Sequence, residues 1–169
     1  MPGPDGVTGR DKRPLAVFDL DDTLAGTAHR QRYPGRGPCD RDASFAAAPE
    51  DAPLAEGVAP VHESARECGI VYLTGRPERC RRDTLDRLAA QGLPEGPLHL
   101  RGDADRRPAR YTKPAIPRRL ARTREIRVLV DDGEPVCADA RRAGFTVVHA
   151  RWTAPSRELK AAQQREGRT

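Results

Sequence analysis

The sequence predicts an α/β protein in which a central parallel sheet of about five strands is covered by helices on both faces. Short runs of consecutive Val, Ile and Leu alternate along the chain with helical stretches, and continuously apolar strands are typical of a parallel sheet that is buried on both sides. Polar residues come directly after three of these strands, at the end of a parallel sheet where ligands bind. Together these observations favour a Rossmann-like three-layer α/β/α sandwich.

Each predicted strand is a short apolar run. The five runs are Leu15–Phe18, Gly69–Leu73, Leu98–Leu100, Ile126–Val130 and Phe145–Val148.

The predicted helices occupy the stretches between these runs. They extend from about Val58 to Cys68, from Glu78 to Gln91, from Pro114 to Arg122 and from Pro135 to Ala143. In the second helix we expect Leu85 and Leu88 to face inward and Gly92 to end the helix. Its arginines are interpreted as a solvent-exposed face: Arg79, Arg81, Arg82 and Arg87.

The chain divides into three parts. Residues 1–13 are rich in Gly, Pro and charge and are expected to form a disordered lead. Residues 14–153 contain all the predicted strands and form the expected single domain. Within it, residues 28–53 have no clear periodicity and are interpreted as a long substrate loop. Residues 154–169 are expected to be a tail or an added helix.

Composition restricts the classes of protein. No apolar run approaches the roughly 20 residues that a membrane span needs, and the N-terminus does not resemble a signal peptide. The four scattered cysteines favour reduced thiols and a cytoplasmic protein. The net charge is +5, and only three of the 30 basic residues are lysines. A coding bias explains this excess of arginine more simply than an anionic partner, although the excess is compatible with one.

Carboxylates and one hydroxyl follow three of the predicted strands. Asp19 and Asp21 follow the first strand, Thr74 follows the second, and Asp131 with Asp132 follows the fourth. Clustered carboxylates repel one another unless a cation intervenes, and Mg²⁺ prefers such oxygen ligands. A carboxylate placed near a metal-bound phosphate can attack phosphorus and form an aspartyl-phosphate. We therefore predict that Asp19 is the nucleophile and that Asp21 is the acid and base.

Four segments resemble the motifs of the haloacid dehalogenase (HAD) phosphatase superfamily, in the order that the superfamily has them. Val17–Leu24 resembles the first motif, Leu73–Arg76 the second, Lys113 the third and Val130–Asp132 the fourth. The resemblance covers about residues 14–150 and implies a HAD-like fold with little or no cap. It also implies a Mg²⁺-dependent phosphomonoesterase.

The resemblance implies a role for each matching residue. Asp19 would be nucleophile and metal ligand, and Asp21 would be acid/base and would bind the metal through its backbone carbonyl. Thr74 would hydrogen-bond the phosphoryl oxygens, and Lys113 would neutralise the phosphate and orient the nucleophile.

For the remaining motif residues the resemblance implies ligand and substrate contacts. Asp132 aligns with the metal ligand of the superfamily, and Asp131 would then support the lysine or the metal waters; the choice between these two stays open. Thr23 and Gly75 are assigned to the substrate-binding set.

Within the superfamily, the chain resembles the 3′-phosphatase domain of bacteriophage-type polynucleotide kinase-phosphatase. The double aspartate Asp131–Asp132 and the segment Arg141–Gly144 carry this likeness, and Arg76 matches an arginine that contacts phosphate there. For a second such arginine, Arg30 fits by distance from the first motif and Arg36 fits by local sequence. Two features of that family are absent, namely the acidic residues just before the lysine and the phosphate-cradling loop of a kinase.

These likenesses favour a nucleotide or polynucleotide 3′-phosphate as the substrate. The small space for a cap is in keeping with a bulky substrate such as a nucleic-acid end. A phosphatase of a small phosphorylated metabolite or nucleoside monophosphate is the alternative in the same class. A phosphate-binding or regulatory module without turnover is the alternative in another class. We expect no membrane association, and either a monomer or a homodimer.

Overall fold

The computed structural model describes residues 11–27 and 51–153. Seven strands lie in this part of the chain: β1 (Leu15–Phe18), β2 (Ala25–Gly26), β3 (Ala52–Pro53), β4 (Gly69–Pro77), β5 (Leu98–Arg101), β6 (Ile126–Asp131) and β7 (Val147–His149). Its α-helices are α1 (Ala55–Ser64), α2 (Arg81–Ala90), α3 (Ala109–Thr112), α4 (Ala115–Leu120) and α5 (Glu134–Arg142), and a 3₁₀ turn at Glu78–Cys80 leads into α2.

Five strands form one sheet in the order β5-β4-β1-β6-β7. All four neighbouring pairs are parallel, and β1 lies at the centre, where Val17 pairs with Val71 of β4 and with Leu129 of β6. The chain therefore has the central five-stranded parallel sheet that the alternating apolar runs predict.

Alternate residues of β1 face two separate cores. Ala16 and Phe18 belong to one cluster, which also contains Val61 of α1 and Leu88 of α2. Leu15, Val17 and their neighbours belong to the other cluster, on the face covered by α4 and α5. Because successive side chains of a strand point to opposite faces, a strand with no polar position must be covered on both sides. This is the predicted three-layer sandwich.

Several details differ from the sequence-based expectation. Helix α1 begins at Ala55 and ends at Ser64, before the predicted Cys68. Strand β4 continues to Pro77 instead of ending at Leu73. Leu88 is buried as predicted, but the expectation for Leu85 is wrong because this side chain is 41% exposed. Thr84, four residues before Leu88, occupies the inward position, as the period of an α-helix allows.

A short antiparallel pair holds the two ends of the predicted substrate loop together. Ala25 pairs with Pro53 and Gly26 with Ala52, so the chain leaves the first motif and returns to the same place. Residues 28–50, between these two short strands, lie outside the described residues. Among the described helices, none combines the length and the apolar character that crossing a membrane requires.

Candidate active site

The motifs that the sequence predicts to be catalytic meet at the carboxyl ends of the three central strands. Asp19 directly follows β1, Thr74 lies in the second half of β4, and Asp131 is the last residue of β6. Since β1 lies between β4 and β6, these three side chains share one edge of the sheet. All three are buried, with 1–2% of their surface exposed. The structure thus brings together the polar residues that the sequence places after three different strands.

A tight turn after β1 fixes the first motif. The amides of Leu24 and Ala25 both donate to the carbonyl of Leu20, at 2.8 and 3.0 Å. Asp22 has a φ of 60°, a conformation that Asp tolerates better than most residues. Its carboxylate accepts hydrogen bonds from the amide and the hydroxyl of Thr27, which close the turn. The turn keeps the side chains of the motif at the sheet edge.

Both carboxylate oxygens of Asp19 have a donor from the protein. The Nζ of Lys113 lies 2.6 Å from Oδ1, and the hydroxyl of Thr23 donates to Oδ2 at 2.9 Å. Lys113 also donates to Oδ2 of Asp131 at 3.0 Å, and its side chain is 4% exposed. The order of the motifs predicted a lysine at this position, and the structure places its ammonium against the predicted nucleophile.

Three carboxylates form a group that could hold a metal ion. Oxygen atoms of Asp19, Asp131 and Asp132 all lie within 4.8 Å of one another, and all three residues are buried. With the single positive charge of Lys113, this cluster carries a net charge of −2 when every group is ionised. A divalent cation would neutralise that charge, and a set made only of oxygen donors suits Mg²⁺. The residues therefore fit the metal that the sequence predicts.

The electrostatics of the cluster follow from burial and crowding. Burial raises the pKa of Asp19 well above its usual range, the nearby Asp131 charge adds to this rise, and Lys113 opposes it. Burial acts to lower the pKa of Lys113, but the charges of Asp131 and Asp19 more than offset it and the net shift is upward. The ammonium therefore keeps its proton to a higher pH than an ordinary lysine does. A bound cation would offset the excess negative charge around Asp19.

Neighbouring groups hold the two aspartates of the fourth motif. The amide of Gly133 donates to Oδ1 of Asp131 at 2.8 Å, so both oxygens of this carboxylate accept hydrogen bonds from the protein. The main-chain carbonyl of Asp132 lies 2.9 Å from Nε2 of His149, at the end of β7. The thiol of Cys137 donates to the main-chain carbonyl of Asp131 at 3.3 Å.

The carboxylate of Asp21 faces an arginine instead of the three-carboxylate group. The Nη2 of Arg76 lies 2.6 Å from Oδ1 of Asp21, and its Nε lies 3.1 and 3.2 Å from the two oxygens. The same Nη2 lies 2.8 Å from Oδ2 of Asp51. Burial acts to lower the pKa of Arg76, but the two carboxylates raise it above its ordinary value. Arg76 is thus bound within the protein, and a contact with substrate phosphate stays a prediction.

The other predicted substrate contacts lie beside this arginine. The hydroxyl of Thr74 accepts a hydrogen bond from the amide of Arg76 at 3.1 Å. The carbonyl of Gly75 accepts one from the buried side chain of Arg101, also at 3.1 Å. Arg30 and Arg36, the two candidates for a further phosphate contact, lie outside the described residues.

Sequence reasoning missed two residues at this site. Asp51 is fully buried, and its carbonyl accepts hydrogen bonds from Arg87 at 2.6 and 3.2 Å. Arg87 was expected on a solvent-exposed face, but its side chain reaches into this partly buried contact. Asp51 stands in a stretch without periodicity, so no pattern marks it.

Comparisons with known proteins agree with this geometry. Residues 14–152 match the family model described as the polynucleotide kinase PNKP phosphatase domain. Among curated protein sequences, none matches the chain significantly.

Solved structures share the fold. A chain of the Pnkp1/Rnl/Hen1 complex superposes with a TM-score of 0.67 and 21% identity, over 81% of this chain and 46% of that one. The class C acid phosphatase from Bacillus anthracis with tungstate bound gives 0.61 and 16%, over 92% and 72%. A haloacid dehalogenase-like hydrolase from Streptococcus pneumoniae gives 0.58 and 13%, over 90% and 91%. This chain spans less than half the length of the Pnkp1-complex chain.

The family match covers nearly the whole sandwich and includes all four motifs, from Asp19 to Asp132. The chain therefore belongs to the family of polynucleotide kinase PNKP phosphatase domains, within the HAD superfamily.

Proposed function

We propose that this protein is a Mg²⁺-dependent phosphomonoesterase that transfers the phosphoryl group of its substrate to Asp19. The observation that carries the proposal is the convergence of Lys113, Asp131 and Asp132 on one carboxylate at the sheet edge. An isolated buried carboxylate is costly, whereas one with a lysine, a hydroxyl donor and space for a cation suits phosphoryl transfer. Membership of a phosphatase-domain family supports the same activity.

Asp19 and Asp132 would hold the magnesium ion, with Asp21 contributing its backbone carbonyl. Asp131 would mainly hold Lys113, whose ammonium lies 3.0 Å from its Oδ2. When bound, the ion would neutralise negative charge on the phosphate and on the carboxylates around it.

In the first step an oxygen of Asp19 attacks phosphorus, and the bond from phosphorus to the leaving oxygen breaks. Lys113 and Thr23 orient the attacking carboxylate through their bonds to its two oxygens. Asp21 enters this step as the protonated acid and gives its proton to the leaving oxygen, and the product alcohol departs. The hydroxyl of Thr74, which accepts from the amide of Arg76, can donate its proton to a phosphoryl oxygen.

In the second step water attacks the phosphorus of the aspartyl-phosphate. Asp21 now accepts a proton from that water, and the bond between phosphorus and Asp19 breaks. Inorganic phosphate leaves, Asp19 is again a carboxylate, and Asp21 is again protonated. Each step moves one proton through one side chain, so a single residue serves as acid and then as base.

The favoured substrate is a nucleotide or polynucleotide 3′-phosphate. The family match and the likeness in fold to a chain of the Pnkp1/Rnl/Hen1 complex support a nucleic-acid end as the substrate. The net charge of +5 suits a polyanion, although a charge of this size has little selectivity by itself.

Phosphate release from a panel of substrates tests the proposal. The panel holds a 3′-phosphorylated oligonucleotide, nucleoside 3′- and 5′-monophosphates and sugar phosphates, each with magnesium or with EDTA. We expect magnesium-dependent release that is fastest from the oligonucleotide. A preference for a mononucleotide or a sugar phosphate would agree with the proposed mechanism but contradict a polynucleotide as the substrate. No magnesium-dependent release from any compound would reject the enzyme in favour of a phosphate-binding module.

A further inference from the structure

Asp51 lies beside the catalytic residues, but no motif of the family resemblance includes it. We propose that Asp51 is a positioning residue, which holds Arg76 and through it keeps the carboxylate of Asp21 where it serves the leaving oxygen. This inference rests on the proposed function and adds a residue to it. The first evidence is burial, because the side chains of Asp51, Arg76 and Asp21 are 1%, 4% and 0% exposed.

The guanidinium of Arg76 is fixed on three sides. Its Nε and Nη2 contact Asp21, and the shortest of these contacts is 2.6 Å. Nη2 also contacts Oδ2 of Asp51 at 2.8 Å, and Nη1 contacts the hydroxyl of Thr84 at 3.4 Å. The planar guanidinium has a partner on each edge and therefore has little freedom to rotate. Its orientation then determines the orientation of the Asp21 carboxylate. Removing Asp51 removes one of these three supports.

Asp51 is itself held from outside the catalytic motifs. Its carbonyl accepts two hydrogen bonds from Arg87 of α2, at 2.6 and 3.2 Å. The next residue, Ala52, pairs with Gly26 in the short antiparallel pair, a few residues after the first motif. A helix and a strand therefore set the position of Asp51 independently of Arg76. Such independent support is what a residue needs if it is to position others.

Stability alone does not explain this arrangement. A buried arginine lies between two buried aspartates, and burying such groups costs free energy that apolar side chains of similar volume would not. A misplacement of about 1 Å at a reacting group can lower a rate by about 100-fold, so orientation of Asp21 has a large kinetic value. The geometry therefore favours a role in catalysis over a role in the core.

The role predicts a dependence on the leaving group. When the bond from phosphorus to the leaving oxygen breaks, the electron pair stays on that oxygen, which takes its proton from Asp21. A sugar alkoxide is strongly basic and needs this proton, whereas p-nitrophenolate is a stable anion that leaves without it. A displaced Asp21 should therefore slow hydrolysis of a 3′-phosphorylated dinucleotide much more than hydrolysis of p-nitrophenyl phosphate.

The experiment compares kcat/KM for these two substrates in the wild type and in Asp51→Ala. Because kcat/KM covers only steps up to the formation of the aspartyl-phosphate, hydrolysis of that intermediate does not hide the effect. We expect a loss of about 10- to 100-fold with the dinucleotide and of less than about threefold with p-nitrophenyl phosphate. Asp51→Asn keeps an acceptor oxygen for Arg76 and should recover part of the loss.

Two further variants keep the test informative. Asp86→Asn is the matched control, since its side chain is 75% exposed on α2, and it should leave both values unchanged. Arg87→Gln weakens the hydrogen bonds to the carbonyl of Asp51. It should therefore cause a smaller loss of kcat/KM, again mainly with the dinucleotide. It tests the inference even if Asp51→Ala does not fold, which circular dichroism would show.

A selective loss with the dinucleotide supports the inference, and recovery in Asp51→Asn supports it further. Equal losses with both substrates, or no loss with either, overturn it and leave the proposed phosphatase intact. A wild type that hydrolyses neither substrate overturns the proposed function first and this inference with it.

Discussion

The ammonium of Lys113 lies 2.6 Å from Oδ1 of Asp19, although 94 positions separate the two residues in the chain. Lys113 follows the short helix α3, whereas Asp19 follows the central strand, so the contact depends on the complete fold. The same ammonium contacts Asp131 at 3.0 Å. One cation thus links the first and fourth motifs, and it is among only three lysines in the chain.

Replacing Lys113 by Met should remove most of the activity. Without the ammonium, the buried carboxylates lose the charge that orients Asp19, and we expect kcat to fall by at least about 100-fold. Steady-state phosphate release measures this. Lys12→Met, at an exposed position near the N-terminus, is the control. If the kcat of Lys113→Met stays within about twofold of the wild-type value, the third motif lies elsewhere.

Magnesium should stabilise the protein through the three-carboxylate group. A ligand that binds only the folded state at 100 times its Kd contributes about 2.7 kcal/mol, and such a gain raises the Tm. We expect the shift on adding magnesium chloride to be much smaller in Asp132→Asn. Thermal unfolding at matched ionic strength measures both. The same shift in Asp132→Asn as in the wild type would place the ion away from Asp132.

The sequence predicts those site residues whose positions follow from the local pattern of strands. Asp19, Thr74 and Asp131 follow runs of Val, Ile and Leu, and a parallel sheet must bring the ends of adjacent strands together. Lys113 is different. Nothing in its neighbourhood marks it, and only the order of the family motifs predicts its role.

The residues that sequence reasoning missed are those that depend on long-range packing. Asp51 lies in a stretch without periodicity, and its buried side chain contacts Arg76, 25 positions away. Arg87 is one of the arginines that were interpreted as the solvent-exposed face of a helix, yet it donates to the carbonyl of Asp51. The strands β2 and β3 have two residues each, too few for any alternation to show. Leu85 was expected inward with Leu88, but the buried partner of Leu88 is Thr84, one full turn earlier.

Replacing Gly57 by Ala should destabilise the protein. A Cβ at this position of α1 would lie 1.9 Å from the carbonyl oxygen of Thr23, so the helix must move away from the first motif. We expect a loss of about 1–3 kcal/mol in the free energy of unfolding. Because Thr23 holds Asp19, activity should fall too. Gly102→Ala is the matched control, since the nearest atom to its Cβ would be 4.0 Å away. Urea unfolding measures both variants, and equal stabilities would contradict the close approach.

Cys68 should resist alkylation in the folded protein. Burial raises the pKa of its thiol above the ordinary value of 9.0. A raised pKa shifts ionisation to higher pH, and only the thiolate reacts, so mildly alkaline iodoacetamide should modify Cys68 slowly. Peptide mass spectrometry compares the folded protein with protein in urea. Equal rates in the two states would mean that this thiol is accessible and ionised.

The proposed mechanism requires a covalent phosphate on one named residue. Acid quenching during turnover of a 3′-phosphorylated oligonucleotide should preserve the aspartyl-phosphate. Borohydride reduction then converts that aspartate to homoserine, which mass spectrometry locates in the sequence. We predict homoserine at residue 19, none at residue 21, and none after incubation of the wild type with substrate and EDTA or of Asp19→Asn with substrate and magnesium. Continued magnesium-dependent turnover without any homoserine, or with homoserine only at another carboxylate, would contradict the role of Asp19 as the nucleophile.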